Sequence, residues 1–237
     1  MTKNCVAVIP ARSGSKRLPG KNLLELGGAT LSELALRAAL EAENISDIVY
    51  TTDYPPELVP SALHPHLVRR PIEISTDTSP STEYLRHLLD IGRINKNQNI
   101  VILEPSCPFR SGRTVDAAIE KFYDLKCATS LVTLKAVEDS HPSRMYLFRE
   151  PSANLERFDS SPSELRKQDQ LPLYIRDTAV YIISPLNLIE NAGLYGASPR
   201  GIVNRFHTVN IDTHFDYLIS RCIFENMKEF NVEFPTN

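Results

Sequence analysis

The residues that could do chemistry are concentrated in one stretch near the start of the chain, residues 8–22. An apolar run ends there and leads into a segment with two glycines, two serines and four cations. The cations are Arg12, Lys16, Arg17 and Lys21. Backbone N–H groups of such a loop can line an anion nest, and arginine and lysine can neutralise phosphate. The stretch predicts a phosphate-binding loop, although its charge and glycine content alone fit a solvated basic loop equally well.

The spacing within this loop excludes two common phosphate-binding signatures. It is neither Gly-x-x-x-x-Gly-Lys-Ser/Thr nor Gly-x-Gly-x-x-Gly. Neither a P-loop ATPase nor a dinucleotide-binding enzyme is therefore indicated.

The elements that must position the loop alternate between short β-branched runs and longer stretches with helical periodicity, a pattern typical of a layered α/β sheet. Strands are predicted at residues 5–9, 48–52, 100–103, 129–134 and 179–183. Helices are predicted to begin at Thr30, Ser79-Pro80, Thr114 and Thr213. The last helix carries apolar residues at helical spacing, namely Phe215, Leu218, Ile219, Cys222 and Ile223. In a parallel sheet, the loop after the first strand lies at the carboxyl end of that strand, where ligands bind.

Composition limits the classes of partner. The 237 residues include 26 basic and 29 acidic side chains, for a net charge of −3. No global field favours nucleic acid or an anionic membrane surface, so we expect neither as a partner and expect any anion to be bound locally. No segment approaches the ~20 apolar residues of a bilayer span, and the first apolar run is too short for a signal peptide. The four cysteines lack disulfide or zinc spacing. We therefore expect a cytoplasmic chain with reduced thiols.

One segment interrupts the alternation of strands and helices. Residues 138–172 consist of polar residues, prolines and isolated aromatics, and are too long for a tight connection in a compact sheet. We expect a single domain over residues 1–237, with residues 138–172 as a projecting arm or hairpin.

The basic loop resembles the signature of the sugar-activating cytidylyltransferases, most closely the acylneuraminate group. That signature is Ile-Pro-Ala-Arg-x-x-Ser-Lys-x-x-Pro-x-Lys-Asn, and residues 9–22 match it. Further motifs follow in family order along the chain. They are Thr51-Thr52-Asp53, Arg70-Pro71 with Asp77-Thr78, Glu104 to Arg110, His141-Pro142, Arg166 to Asp169, Ala179-Val180-Tyr181 and Ile211-Asp212-Thr213. The resemblance thus covers essentially the entire chain.

The resemblance implies a fold and an activity. The fold would be a Rossmann-like nucleotidyltransferase of the glycosyltransferase A-like kind, with a mixed, mostly parallel sheet flanked by helices and a projecting dimerisation arm. The activity would be transfer of CMP from CTP to the anomeric hydroxyl of a sialic acid-like 2-keto-3-deoxy sugar acid, with release of pyrophosphate. A homodimer and Mg²⁺ are also implied.

Site residues carry over by position. Arg12, Lys21 and Asp212 would be catalytic. The nucleotide would contact Arg12, Ser13, Gly14, Lys21, Asn22, Arg70, Ser79 and Ser81, although Ser79 could instead only cap its helix and Arg70 could be a loop cation. The sugar acid would contact Glu104, Arg144, Arg166, Gln168, Tyr181, Leu194 and Tyr195.

Two departures concern carboxylates at the proposed metal site. The family's Asp-Ile-Asp-Thr is Asn210-Ile211-Asp212-Thr213 here, and the family's glutamine is Glu104. Our hypothesis is that Glu104 and Asp212 face Mg²⁺ from opposite strand ends, one charge having moved from position 210 to position 104. The alternative is that Asp212 mainly helps cap the helix beginning at Thr213.

Other departures leave the substrate open. Asp177-Thr178 replaces the family's Asn-Gly. The segment Arg17-Leu18-Pro19-Gly20-Lys21, together with Glu104-Pro105, is also similar to the 3-deoxy-manno-octulosonate synthetases. An octulosonate cytidylyltransferase is therefore an alternative, as is a degenerate homologue that binds nucleotide without turnover. Cys107 stands where the family has serine. Arg110 could lower the pKa of its thiol, but we interpret it as a small loop residue.

Overall fold

The computed structural model describes residues 4–137, 140–158 and 171–236. The predicted alternation of strands and helices is present. The strands are β1 (Cys5–Ala11), β2 (Glu25–Leu26), β3 (Ala29–Thr30), β4 (Ile45–Thr52), β5 (Leu67–Arg69), β6 (Asn99–Ile102), β7 (Ser130–Ala136), β8 (Tyr146–Arg149), β9 (Asn154–Arg157), β10 (Tyr174–Ile183) and β11 (Pro199–Val203). The helices are α1 (Leu31–Glu41), α2 (Ser81–Asp90), α3 (Gly112–Asp124), α4 (Pro185–Ile189), α5 (His214–Glu225) and α6 (Met227–Phe230).

The main sheet has the strand order β11-β7-β10-β6-β1-β4-β5 within the described residues. β1 pairs in parallel with both β4 and β6, while β10 runs antiparallel to β6 and β7. The sheet is thus mixed and mostly parallel, as expected. The chain passes from β1 to β4 on one side and enters β6 on the other, so the strand order reverses between β1 and β6. Ligands of open α/β sheets bind at such a point, beyond the carboxyl ends of the strands.

Alternate residues of β1 pack on opposite faces of the sheet. Cys5, Ala7 and Ile9 belong to the core formed with α1 and α3, whereas Val6 and Val8 belong to the core formed with α2. A strand that is buried on both faces reads as a continuous apolar run. This burial explains why β1 was visible in the sequence.

The helix starts show where capping rules were sufficient. Thr30 and Thr213 both form complete capping boxes, with Glu33 and Asp216 as the third helical residues, as predicted. α2 instead begins after Pro80, and no side chain caps it. The alternative that Ser79 only caps this helix is therefore wrong.

The apolar face of α5 is largely uncovered. Phe215 is 70% exposed, Leu218, Ile219 and Cys222 are also exposed, and only Ile223 of the predicted stripe is buried. The helical spacing correctly placed these residues on one face of α5. Periodicity alone does not determine whether other parts of the protein pack against that face.

Part of the predicted arm is a hairpin in which β8 and β9 pair antiparallel. Phe148 and Leu155 are directly opposite each other in this hairpin, and both are exposed. The remainder of residues 138–172 includes 138–139 and 159–170, which lie outside the described residues. A single domain over the whole chain stays a prediction. In the part of the chain that the structure describes, no helix has the length and apolar character needed to cross a membrane.

Candidate active site

A polar pocket opens where the strand order reverses, beyond the carboxyl ends of β1 and β6. Many of the residues predicted to form the site line it together. They are Arg12, Lys21, Asn22, Arg70, Ser79, Ser81, Glu104 and Asp212. Ser13 and Gly14 belong to the same loop but do not line the pocket. The structure therefore brings most of the predicted nucleotide and metal residues to one cavity.

The loop after β1 is held by hydrogen bonds to Asp53, the residue that follows the carboxyl end of β4. The Asp53 carboxylate accepts hydrogen bonds from the Ser13 backbone N–H at 2.7 Å and from the Ser13 hydroxyl at 2.6 Å. The buried Asn22 closes the other end of the loop by donating to the Arg12 carbonyl at 3.0 Å. The motif Thr51-Thr52-Asp53 was recognised in the sequence, but its aspartate was given no role. Its role depends on a contact between residues 40 positions apart.

Arg12 is held at the rim of the pocket. Its Nη1 donates to the Gly14 carbonyl at 3.1 Å and to Asp77 Oδ1 at 2.5 Å. Lys16 Nζ lies 2.6 Å from the other oxygen, Asp77 Oδ2. Hydrogen bonds from Lys16 and Arg12 lower the pKa of Asp77. Asp77 is a second carboxylate that the sequence analysis quoted without a role.

Lys21 and Asp212 form an ion pair inside the pocket. Lys21 Nζ donates to Asp212 Oδ1 at 2.9 Å, and Arg17 Nη2 lies 3.0 Å from Asp212 Oδ2. Asn210 Nδ2 also donates to Asp212 Oδ2, at 2.9 Å. The Asp212 side chain therefore interacts with cations and an amide and does not cap α5.

α5 is capped by Thr213 together with Asp216. Asp216 Oδ2 accepts from the backbone N–H groups of Thr213 at 2.8 Å and Asp212 at 3.1 Å. The alternative that Asp212 mainly caps this helix is wrong. Asp212 lies in the turn before α5 and not at a strand end, which corrects that detail of the metal-site hypothesis.

Glu104 follows β6 and shares the pocket with Asp212. Burial raises the pKa of the Glu104 carboxyl and the nearby Asp212 charge adds to the rise, whereas Lys21 and Arg110 oppose it. The hydrogen bond from Ser106 Oγ to Glu104 Oε2 is long, at 3.5 Å. Two carboxylates thus face one cavity, and one of them has only a weak protein partner. The described residues contain no group of three or more His, Cys, Asp or Glu side chains arranged to hold a metal.

Arg110 is buried beneath this site, with 1% of its surface exposed. Its Nη2 donates to the Glu104 carbonyl at 2.8 Å and its Nη1 to the Ala179 carbonyl on β10 at 3.0 Å. Burial raises the pKa of the neighbouring Cys107 thiol to about 11, which outweighs the opposing effect of Arg110. Cys107 is therefore a buried thiol with little thiolate near neutral pH, consistent with its interpretation as a loop residue.

Arg70 also lines the pocket and is only 6% exposed. Its guanidinium stacks 4.5 Å from the centre of the Tyr84 ring, and its Nη2 donates to the Thr51 carbonyl at 2.9 Å. Its Nε is buried without a hydrogen-bond partner. The alternative of a solvated loop cation is therefore wrong. The Ser79 hydroxyl, which also lines the pocket, lies 2.8 Å from the Thr76 hydroxyl.

The residues assigned to the sugar acid are placed differently. Tyr181 is buried on β10 and packs in one cluster with Leu194 and Tyr195. Arg144 is exposed just before the β8–β9 hairpin. None of these four residues lines the pocket described above. The predicted residues Arg166 and Gln168 lie outside the described residues.

A neighbouring arginine was missed by the sequence analysis. The guanidinium of Arg176 on β10 lies 5.3 Å from the centre of the Tyr195 ring, and its Nη1 donates to the Tyr195 hydroxyl. No motif pointed to Arg176.

Comparisons with known proteins agree with this geometry. A family profile described as "Cytidylyltransferase" matches residues 6–181. N-acylneuraminate cytidylyltransferase of Escherichia coli is 24% identical over 100% of this chain and 56% of its own length, and the relative in Streptococcus agalactiae is matched over 51%. The chain thus spans about half the length of these two relatives. It spans 97% of the CMP-N,N'-diacetyllegionaminic acid synthase of Legionella pneumophila, at 28% identity over 96% of this chain.

Solved structures show the same fold. A CMP:2-keto-3-deoxy-manno-octonic acid synthetase complexed with CTP superimposes with a TM-score of 0.66 and 18% identity, covering 95% of this chain and 100% of that one. A 4-diphosphocytidyl-2C-methyl-D-erythritol synthase superimposes with a TM-score of 0.63 and 16% identity, covering 94% and 99%.

Proposed function

Because this chain belongs to the cytidylyltransferase family, we propose that it transfers CMP from CTP to the anomeric hydroxyl of a 2-keto-3-deoxy sugar acid. The observation that carries the proposal is the placement of Arg12 and Lys21 in one pocket with the carboxylates of Glu104 and Asp212. Fixed cations opposite acidic oxygen donors are what transfer of a nucleotidyl group requires. Relatives named for N-acylneuraminate, legionaminic, pseudaminic and octulosonate substrates support a sugar acid as the acceptor.

The reaction forms one bond and breaks another at the α-phosphorus. The anomeric oxygen attacks the phosphorus, and the bond to the oxygen that bridges towards the β-phosphorus breaks. That oxygen keeps the electron pair and leaves with pyrophosphate, while the hydroxyl proton passes to water. The protein must align the two oxygens and stabilise charge on the phosphoryl oxygens.

Arg12 and Lys21 are the groups that we assign to the phosphates. Within the described chain, the hydrogen bonds of the Arg12 guanidinium all use Nη1, so Nη2 and Nε are left to bind phosphate oxygens. Lys21 supplies a compact charge deeper in the pocket, where its partner is Asp212. We assign Asp212 as the third catalytic residue.

Magnesium is the cofactor that we propose, held by Glu104 and Asp212. Mg²⁺ in proteins is typically bound by one or two carboxylates together with substrate phosphates, and this pocket offers two carboxylates. Asn210 Oδ1 is buried without a hydrogen-bond partner next to them, and is a possible neutral ligand. When bound, the ion would neutralise charge on the phosphates.

The metal assignment is tested by Glu104→Gln. We expect this variant to need a sharply higher Mg²⁺ concentration for half-maximal turnover, and to lose most of the Mg²⁺-dependent rise in melting temperature measured with CTP present. An unchanged Mg²⁺ dependence in both measurements would contradict the assignment.

The cytosine is assigned to the wall formed by Asn22, Arg70, Ser79 and Ser81. The base presents an exocyclic amine, a ring nitrogen and a carbonyl, which guanidinium, amide and hydroxyl groups can satisfy. The unpartnered Arg70 Nε is a donor with no competing protein acceptor. We keep Ser13 and Gly14 as nucleotide contacts at the phosphate end, although the Ser13 N–H and hydroxyl are bound to Asp53 in this structure.

The sugar acid is assigned to Glu104, Arg144, Arg166, Gln168, Tyr181, Leu194 and Tyr195. An arginine pairing with the sugar carboxylate is chemically natural. Because Arg144 lies beside an exposed hairpin with an apolar face, we propose that two copies form a homodimer through this arm and complete the sugar site together. The cytoplasmic location stays a prediction.

One experiment tests the activity. Purified protein is mixed with CTP, Mg²⁺ and, in turn, sialic, legionaminic, pseudaminic or 3-deoxy-manno-octulosonic acid, and pyrophosphate is measured. We expect release with one nonulosonic acid above all others. Release with octulosonic acid alone would favour the alternative acceptor. CTP binding without pyrophosphate release from any acid would favour the alternative of a degenerate homologue, which is based on Asn210 standing where the family has aspartate.

A further inference from the structure

Asp77 stands between two cations of the phosphate-binding loop and gives each of them one carboxylate oxygen. Oδ1 accepts from Arg12 Nη1 at 2.5 Å, and Oδ2 lies 2.6 Å from Lys16 Nζ. Lys16 is otherwise a loosely held side chain, 80% exposed. Without such a partner, a lysine with this exposure would sample many rotamers.

The geometry separates Asp77 from the cavity itself. Arg12 and Lys16 both line the pocket, and Asp77 does not. The Arg12 guanidinium uses Nη1 for Asp77 and for the Gly14 carbonyl, which fixes the plane of the group and leaves its other nitrogens available. Arginine has five donor hydrogens in a rigid fork, so it can bind a carboxylate on one edge and a phosphate on another.

The same contact joins two parts of the pocket wall that are far apart in the chain. Arg12 and Lys16 follow β1, whereas Asp77 lies in the turn before α2, next to hydroxyl groups that are themselves connected. Thr76 Oγ1 lies 3.2 Å from Thr78 Oγ1 and 2.8 Å from Ser79 Oγ. Asp77 thus ties the phosphate side of the pocket to the side that carries Ser79.

We propose that Asp77 is a positioning residue that holds Arg12 and Lys16 in place for the triphosphate. The inference rests on the proposed function, since it presupposes that CTP is the ligand. The change in CTP affinity that positioning predicts is opposite in sign to the change expected from charge alone. Removing a negative charge near an anionic ligand should by itself tighten binding, whereas loss of positioning should weaken it.

The test compares nucleotide affinities of wild type, Asp77→Asn and Asp77→Glu by titration calorimetry. Asp77→Asn should weaken CTP binding by about threefold to tenfold, the range that loss of two partly exposed charge contacts supports. Binding of cytidine, which has no phosphate, should change by less than about twofold, because we assign Arg12 and Lys16 to the triphosphate. Asp77→Glu, which keeps the carboxylate, should recover part of the CTP affinity.

Two controls separate positioning from bulk charge and from misfolding. Asp90→Asn removes the same charge from the exposed end of α2, where the Asp90 side chain has no hydrogen bond or ion pair with the described residues, and should leave CTP affinity unchanged. In a Lys16→Met background, Asp77→Asn should lose part of its effect, because the two residues are coupled. The melting temperature of Asp77→Asn should match that of wild type.

The outcomes are distinguishable. If wild type binds CTP and Asp77→Asn binds it with equal or higher affinity, the inference is overturned and the proposed function is not. Equal losses for CTP and cytidine would overturn it as well, since they would indicate a general distortion. Wild type that binds no CTP would overturn the proposed function and this inference with it.

Discussion

The two halves of the proposed site are built differently. The nucleotide half, defined by Arg12, Lys21, Arg70 and Ser79, lines one cavity and is held by hydrogen bonds and ion pairs between segments far apart in the chain. The sugar half, defined by Arg144, Tyr181, Leu194 and Tyr195, lies outside that cavity, on β10, the loop after α4 and the start of the arm.

This difference matches the demands of the two ligands. A triphosphate needs cations at fixed positions, because electrostatic stabilisation works only when the donors are already oriented. Asp77 accepts a hydrogen bond from Arg12, and Asp53 accepts from Ser13 in the same loop. We propose that these contacts keep the loop and its cations oriented. The arm that follows Arg144, one of the residues assigned to the sugar acid, carries exposed apolar side chains, Phe148 and Leu155. We propose that one chain is sufficient to bind CTP and that two copies are needed to bind the sugar acid.

The largest predicted effect is on stability and comes from substituting Arg110. The Arg110 guanidinium donates to the Glu104 carbonyl after β6 and to the Ala179 carbonyl on β10, so it links the segments that carry the two halves. Arg110→Met leaves the two buried carbonyls without their donor and removes a positive charge near the buried carboxylate of Asp177. We expect the free energy of unfolding to fall by about 3–5 kcal/mol, measured by urea denaturation. Arg221→Met, at an exposed position on α5, is the control and should change it by less than about 0.5 kcal/mol. A loss of that small size in Arg110→Met would show that the two halves are not joined there.

Lys21→Met should break the nucleotide half alone. Removing one preorganised donor to a developing phosphoryl charge should lower kcat by about 10²- to 10³-fold, measured by pyrophosphate release with the preferred sugar acid. Lys126→Met, which removes an exposed lysine after α3, is the matched control. If kcat were kept and only the KM for CTP rose, Lys21 would contribute binding and not catalysis.

The paired variants Phe148→Glu and Leu155→Glu should break the sugar half alone. Leu155 is 64% exposed, and its cross-strand partner Phe148 is similarly exposed. A carboxylate on this face should block burial against a second copy, convert dimer to monomer and reduce turnover by about tenfold or more. CTP affinity should not change. Light scattering and calorimetry measure these outcomes.

The control for the arm variants is Leu40→Glu, an exposed leucine at the end of α1. It should change neither mass nor turnover. A wild-type protein that is monomeric and fully active would contradict the proposal that sugar-acid binding requires the dimer.

Sequence was sufficient for the parts of the fold with a strong local signal. β1 and β4 are buried apolar runs, and the starts of α1 and α5 follow from capping chemistry. The short edge strand β5 and the exposed first residues of β10 were not predicted, because neither has a buried apolar pattern. The uncovered face of α5 was not visible either, since exposure depends on neighbours in space.

The same limit applies to the candidate site. Arg12, Lys21 and Arg70 were found through residue type and motif, and the structure places them together. Asp53 and Asp77 received no role, because their function depends on tertiary contacts with the loop. Position 178, where threonine replaces the glycine of the related family, illustrates the backbone consequence of such a sequence difference. Thr178 has a φ of 65°, a left-handed conformation that suits the glycine of the related family better than a β-branched residue.

The smallest predicted effect concerns the neutral residue beside the proposed metal ligands. Asn210 Nδ2 donates to Asp212 Oδ2 at 2.9 Å, so Asn210→Asp replaces a hydrogen bond with two carboxylates in contact. Like charges at this distance raise the pKa of the pair. Without Mg²⁺ we expect the variant to be less stable by about 1–2 kcal/mol near pH 8 and to recover as the pH falls and the pair takes up a proton.

Added Mg²⁺ with CTP should reverse the sign of the Asn210→Asp effect, because a divalent ion between the carboxylates turns repulsion into coordination. Asn210→Ala loses the same hydrogen bond without adding charge, so it should be destabilised equally with and without Mg²⁺. Thermal unfolding of both variants with and without Mg²⁺ measures the difference. If the two variants responded alike to Mg²⁺, the ion would not lie beside position 210, and the assignment of Asp212 as a metal ligand would be contradicted.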